Sequence, residues 1–247
     1  MLALTAAYAS RLGEVYGGIV AEISAATNSD LVPALEQMGA LLSVKPSAPL
    51  GIVRRRTVEL ALQSRFDTFH FCDFDRVLHW ITHYPNELAS IVQMIGGYDF
   101  LVIGRSTRAL DTHPEIQVTT ERRSNALLSA EFGEVMDITA ASRGISRAAA
   151  ELILQFSTAS DVGTDAEWPL IVRRHSQLSW SYVEVEGLEF ETATFFENEV
   201  KAAGGLEHWK KQRSESAREQ RYRIECVEGI TAVARRFAEQ RQQGLVR

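Results

Sequence analysis

Short apolar runs alternate with amphipathic stretches from the start of this chain to about residue 190, and small or polar residues punctuate each change. That alternation leaves few architectures open. Residues 2–7 read as a short strand and residues 10–16 as a helix stopped by Gly17-Gly18. Residues 19–24 read as a second strand. Asn28-Ser29-Asp30 offers cap chemistry to a helix over 31–38, closed by Gly39. A third strand spans 40–44. Pro46 and Pro49 mark a loop before an amphipathic helix over 50–62, and a fourth apolar run follows. Strands that alternate with helices form βαβ units, so the expected fold is α/β, with a mixed, mostly parallel sheet covered by helices on both faces. In such sheets ligands bind beyond the carboxyl ends of the strands.

The fourth run is Phe69-His70-Phe71-Cys72-Asp73-Phe74-Asp75-Arg76, and it ends in two carboxylates one residue apart. If the strand continues through both, Asp73 and Asp75 share a face. Paired carboxylates at a strand end suit a hard cation such as Mg²⁺ or Mn²⁺, which keeps water and takes one or two protein oxygens plus phosphate oxygens. The plainer alternative is a polar turn in which Asp75 caps the next helix. Arg54-Arg55-Arg56 begins the preceding helix. It reads as a solvated face, or as a place where one guanidinium turns inward to a nucleotide phosphate.

Further along, residues 75–95 read as helix interrupted at Pro85, and 98–105 as a strand ending in Gly104-Arg105. A loop over 106–114 and a helix over 115–132 follow. Residues 137–147 form an extended segment rich in small residues, 148–156 a helix, 161–165 a polar loop, 167–174 a helix and 178–190 a strand. Beyond Gly205, Trp209, Ile224, Val227, Ile230, Val233 and Phe237 recur mostly three or four apart, which predicts one or two long amphipathic helices. These read as an appendage on the domain edge, a dimer contact, or a weak contact with an anionic membrane surface.

The ordered motifs resemble the inverting GT-A-type glycosyltransferases of family 2, in particular the polyprenyl-phosphate sugar transferases. The resemblance rests on Gly51 and the arginine-bearing helix, the strand ending Asp73-Phe74-Asp75, Tyr98 to Arg105, Ser124 to Leu128, Asp137-Ile138-Thr139, Arg143 to Arg147, and Thr164-Asp165-Ala166-Glu167 followed by Tyr182 to Val185. Ala140-Ala141-Ser142 stands where the pattern has Ser-Gly-Phe, and Glu186 where it has Pro. The resemblance implies a GT-A-like catalytic domain over 1–200, with a nucleotide-binding half at 1–105 and an acceptor half at 106–200, and a helical extension over 201–247. It implies transfer of a sugar from a nucleotide-diphosphate donor with inversion, and a divalent cation (Mg²⁺ or Mn²⁺) held by Asp73 and Asp75. Thr5, Ala6, Ser24, Thr27, Arg54, Arg55, Asp73, Arg105 and Arg143 are then candidates for the donor site. Asp165, Asp137 and Glu167 are candidates for the catalytic base, although Asp137 also reads as a turn cap and Asp165 as a helix cap. Asp137, Arg143, Asp165 and Glu167 are expected to converge on one cleft facing Asp73 and Asp75, with Arg143 paired to Glu167.

Composition narrows the alternatives. A net charge of −6 argues against nucleic acid as the main partner. Two distant cysteines, Cys72 and Cys226, provide no disulfide framework or zinc spacing, and fit a reducing cytoplasm. No signal peptide or membrane span is expected. An apolar strand ending Asp-x-Asp also serves haloacid-dehalogenase-type phosphatases, but Arg76-Val77 replaces the hydroxyl residue expected there, and the chain has no Asp-Asp pair. A non-catalytic nucleotide-sugar-binding module remains the other reading.

Overall fold

The computed structural model describes residues 1–27 and 29–243. The first element is not the expected strand. Residues Leu2–Val15 form helix α1. Leu and Ala dominate its first turns and are strong helix formers, and Thr5, the single β-branched residue there, returns its hydroxyl to the Met1 carbonyl at 3.2 Å. β1 (Val20–Ser24), α2 (Leu31–Gln37), β2 (Leu41–Lys45) and α3 (Leu50–Leu62) follow as the periodicity predicts. Asn28, expected to share in capping α2, lies outside the described residues.

β3 (Thr68–Phe71) leads into α4 (Phe74–His83) and α5 (Pro85–Ile95). Pro85 occupies the first turn of α5, where its missing N–H costs nothing. β4 (Phe100–Arg105) is buried along its whole length, which explains its unbroken apolar sequence. The stretch after it is not simply loop. It holds α6 (Thr107–Asp111), capped by Ser106 accepting from the Ala109 amide at 3.1 Å. α7 (Glu115–Phe132) ends at Gly133, whose φ of 73° closes the helix in the left-handed conformation. β5 covers only Ser142–Ser146 of the extended segment. Then come α8 (Arg147–Phe156), α9 (Thr164–Arg173), β6 (Trp180–Val185), the short helices α10 (Thr192–Phe195) and α11 (Glu197–Ala202), α12 (Leu206–Glu215) and α13 (Ala217–Gln242). No helix among the described residues is long and apolar enough to cross a membrane.

The fold is α/β, but its strands form two small sheets rather than one mostly parallel sheet. β1 and β2 pair in parallel. A second sheet has the order β3-β5-β4-β6, in which β5 runs antiparallel to both neighbours and β4 pairs in parallel with β6. Hydrophobic patterning reports which residues are buried, not the direction of the partner strand, and β5 is where that matters.

The helices after residue 200 share the main core. Ile230, Val233, Ala234 and Phe237 of α13 are buried together with Val102, Leu128, Ile153 and Trp168. α13 packs along α7 and α9. Of the apolar stripe seen in the sequence, Trp209, Ile230, Val233 and Phe237 are buried within the fold, whereas Ile224 stays exposed.

Candidate functional site

Asp73 lies two residues beyond β3, still in extended conformation, at the N-cap position of α4. Asp75 lies inside the first turn of α4. The strand therefore stops before the pair, and the same-face argument for two carboxylates on one strand does not apply. Asp73 is exposed, pairs with Arg76 Nε at 3.8 Å, and lines a cavity of ≈ 220 Å³. Asp75 does not line that cavity. Its carboxylate accepts from the Arg76 amide at 3.0 Å, and burial together with the charges of Glu191 and Asp73 raises its pKa.

The cavity gathers residues from distant parts of the chain. Arg54 of α3, Asp73 and Arg76 at the start of α4, Thr139 and Ala141 before β5, and Asp165 in the first turn of α9 all line it. α7 adds Glu121 and Ser124, and α13 closes one side with Tyr222, Arg223 and Cys226. Asp165 is held in place by Arg54 Nη1 at 2.9 Å and Arg143 Nη2 at 3.4 Å. Burial pushes its pKa up, the two guanidinium groups pull it down, and the balance stays above the ordinary Asp value. The Asp73 charge adds to that rise.

Arg143 is buried beneath this group. It pairs with Asp165, not with Glu167, and donates to the Ser142 and Ile138 carbonyls at 2.7 and 2.5 Å. Burial lowers its pKa to about 10. Arg76, which the sequence reading passed over, donates to the Ala140 carbonyl and pairs with Glu191 at 3.6 Å. Its position directly after Asp75 was the available signal. Arg223 was hidden in an arginine-rich helical stretch. It pairs with Glu121 at 3.1 Å and with Glu219 at 2.8 Å.

Ala141 has φ 56°, in the left-handed region that disfavours a side chain, and among the described residues it is alone in this except for glycines. The backbone conformation that would call for glycine is present, and the alanine carries it at the cleft wall.

The other candidates lie elsewhere. Asp137 and Arg105 form a buried pair directly behind the lining residues Glu121 and Thr139 without lining the cavity themselves: Arg105 Nε and its amide reach Asp137 Oδ2 at 2.6 and 2.9 Å, Arg105 Nη2 reaches Glu121 at 2.6 Å, and Thr139 Oγ1 donates to Asp137 Oδ1 at 3.0 Å. Glu167 accepts from Ser157 Oγ at 2.5 Å, from the Thr158 and Ala159 amides, and from Arg236 of α13 at 2.5 Å. It ties the loop before α9 to α13 and does not face Asp73. Arg55 donates to the Ala159 carbonyl. Thr5 and Ala6 sit in α1, not at a strand end. Ser24 closes β1 and bonds to Ser47 at 2.8 Å, and Thr27 is exposed in the following turn. Of the four residues expected to converge opposite Asp73, Asp165 lines the cleft, Arg143 supports it from below, and Asp137 and Glu167 are committed to other contacts.

Among the described residues no cluster of three or more His, Cys, Asp or Glu side chains forms a ready-made metal cage. Asp75 and Glu191 add negative charge near Asp73, and the Arg76 guanidinium pairs with both Asp73 and Glu191. Glu191 Oε2 is buried without a hydrogen-bond partner among the described residues.

No protein-family model, curated protein or solved structure matches this chain. The reading of the cleft therefore stands on its residues.

Proposed function

We propose that the chain is a glycosyltransferase of GT-A-like architecture that moves a sugar from a nucleotide-diphosphate donor to a hydroxyl acceptor with inversion. The observation that carries this reading is that Asp73 and Asp165, far apart in sequence, line one cleft together with two arginines, Arg54 and Arg76. Sugar transfer from a diphosphate needs anion stabilisation on one side of the reacting carbon and a base on the other.

In this account Arg76 faces the donor diphosphate, the N-terminal turn of α4 adds its amide dipoles, and Arg54, bonded to Asp165 at 2.9 Å, stands on the side of the base. Asp73, with Asp75 behind it, would hold Mg²⁺ or Mn²⁺. The bound cation supplies charge neutralisation for the departing diphosphate. Asp165 takes the proton from the acceptor hydroxyl as its oxygen bonds to the anomeric carbon. The bond from that carbon to the diphosphate oxygen breaks, and its electron pair leaves with the nucleoside diphosphate. A base needs a pKa above that of an ordinary exposed aspartate to compete for the proton, and burial moves Asp165 in that direction. Arg143 is a positioning residue that fixes the Asp165 carboxylate from beneath. Asp137 and Glu167 are structural in this account.

The engagement of Asp165 by two arginines favours a second reading, in which the cleft binds a nucleotide sugar without turning it over. Asp165→Asn separates the two. On the transferase reading it binds UDP-, GDP- or dTDP-sugar in the presence of Mn²⁺ within about twofold of the parent, while nucleoside diphosphate release falls by about 10²–10⁴-fold. A parent protein that binds the donor and releases no product with any hydroxyl acceptor supports the binding module instead.

A further inference from the structure

The C-terminal half of α4 carries a histidine pair that the cleft does not use. His79 and His83 stand four residues apart, so they share one face of the helix, and their ring centres lie 4.4 Å apart. His79 is 6% exposed. Its Nε2 lies 3.3 Å from Glu189 Oε1, on the segment after β6. Burial alone would raise the Glu189 pKa, but its hydrogen bonds, led by that from Arg108, lower it. Glu189 is therefore a carboxylate, which only accepts. Nε2 of His79 must carry the proton, and Nδ1 is left with a lone pair. That nitrogen is buried and has no hydrogen-bond partner among the described residues. Burial, and then the neighbouring His83, lower the His79 pKa, so the ring is neutral at pH 7.

A neutral imidazole with one nitrogen tied to a carboxylate is the form in which proteins present a ligand to a transition metal. The carboxylate fixes the tautomer, aims the ring and raises its basicity. Here the carboxylate is itself fixed, since Arg108 Nη1 donates to Glu189 Oε2 at 2.7 Å. His83 supplies a second imidazole. It is exposed, so its ring can turn towards His79 Nδ1 and admit an ion from solvent. His83 also stands in the last turn of α4, where the helix dipole favours a cation. Imidazole nitrogen suits Zn²⁺, Ni²⁺ or Cu²⁺, whereas Mg²⁺ prefers oxygen. No group of three His, Cys, Asp or Glu side chains converges among the described residues, so the two imidazoles are the protein's direct ligands and water completes the shell.

We propose that His79 and His83 form a transition-metal site that takes Zn²⁺ in preference to Mg²⁺ and, through Glu189, clamps the last turn of α4 to the segment after β6. That segment also carries Glu191, which pairs with Arg76 at 3.6 Å, so the clamp steadies the partner of a cleft arginine. The site does not depend on sugar transfer, because neither histidine lines the cleft.

The test uses the untagged full chain, freed of metal with EDTA and dialysed, and zinc chloride as titrant. Calorimetry is expected to show saturable binding that persists in millimolar Mg²⁺. Glu189→Gln should weaken it about tenfold or more, and His83→Ala at least as much. His83 is exposed, so His83→Ala is expected to keep the parent's far-ultraviolet spectrum. Nitrogen-15 spectra of the rings should show His79 and His83 shifting with Zn²⁺ while the other histidines stay in place. Asp73→Asn, which removes the cleft carboxylate, should leave zinc affinity within about twofold. Unchanged affinity in His83→Ala, or affinity lost in Asp73→Asn, would overturn the proposal by placing the ion elsewhere. Unmoved His79 and His83 signals, or no saturable binding by the parent, would overturn it as well.

Discussion

Asp137→Ala is the substitution whose cost follows most directly from the structure. The Asp137 carboxylate accepts from the Arg105 amide, Arg105 Nε and Arg105 Nη2 at 2.9, 2.6 and 3.0 Å, from Asn125 Nδ2 at 2.6 Å, and from Thr139 Oγ1 at 3.0 Å. Arg105 is 1% exposed, so truncating its partner leaves a guanidinium buried with Glu121 as its one remaining carboxylate. Removing one member of a buried ion pair costs about 3–5 kcal/mol. For a chain of this size each kcal/mol moves Tm by about 2–4 °C, so the variant should melt roughly 6–20 °C below the parent, with a matching fall in the urea midpoint. pH adds an independent check. Burial alone would raise the Asp137 pKa, but the Arg105 guanidinium and the hydrogen bonds hold it well below the usual carboxylate range. A depressed folded pKa contributes stability that is complete above the unfolded value of about 3.9 and is lost as pH falls towards the folded value. Parent and variant should therefore differ most above pH ~4 and converge in stronger acid. A variant within 1 kcal/mol of the parent at pH 7 would refute the structural assignment and return Asp137 to the candidate bases.

Three further outcomes follow from the same geometry. Ala141→Gly relieves a left-handed alanine and should raise stability by up to about 1 kcal/mol in urea titration, less whatever flexibility the glycine adds to the unfolded chain. Phe237→Ala removes a ring buried in the main core under the Arg174 guanidinium, 3.8 Å from the ring centre, and should cost about 3–5 kcal/mol; a loss below 1 kcal/mol would mean that α13 does not belong to the core. The acid limb of kcat/KM should fall at an apparent pKa above the ordinary Asp value of about 3.9, because burial raises Asp165, and that limb should vanish from the residual activity of Asp165→Asn.

Much of the architecture was legible before any coordinates. Local signals decided β1, β2, α3, β4 and α7: apolar runs of strand length, a proline after the loop, a glycine at the helix end. Residues 2–7 misled because an apolar run of six residues has the length of either a strand or a helical turn and a half, and alanine and leucine tip it to helix. The break between the sheets and the reversed direction of β5 depend on which edges meet, and composition does not encode that. For the site, Asp73 and Asp165 were legible through the order of motifs rather than through any one of them. The carboxylates of Asp137 and Glu167 looked equivalent to that of Asp165 in sequence. What separates them is tertiary: all three are held by arginines, but only Asp165 lines the cleft, whereas Arg105 and Arg236 hold Asp137 and Glu167 outside its lining. Arg223 reached the same wall from the far end of the chain, through the packing of α13 on α7.

The central claim is that Asp73 and Arg76 beside it form a metal-dependent diphosphate site. Calorimetric titration of UDP, GDP and dTDP into the full chain, with Mn²⁺ or with EDTA, addresses it directly, using the parent and Asp73→Asn. The account predicts that at least one nucleotide binds with Mn²⁺, that EDTA weakens it at least tenfold, and that Asp73→Asn does the same while keeping the parent's Tm. Binding that is indifferent to both EDTA and Asp73→Asn, or no binding by any of the three nucleotides, would contradict it.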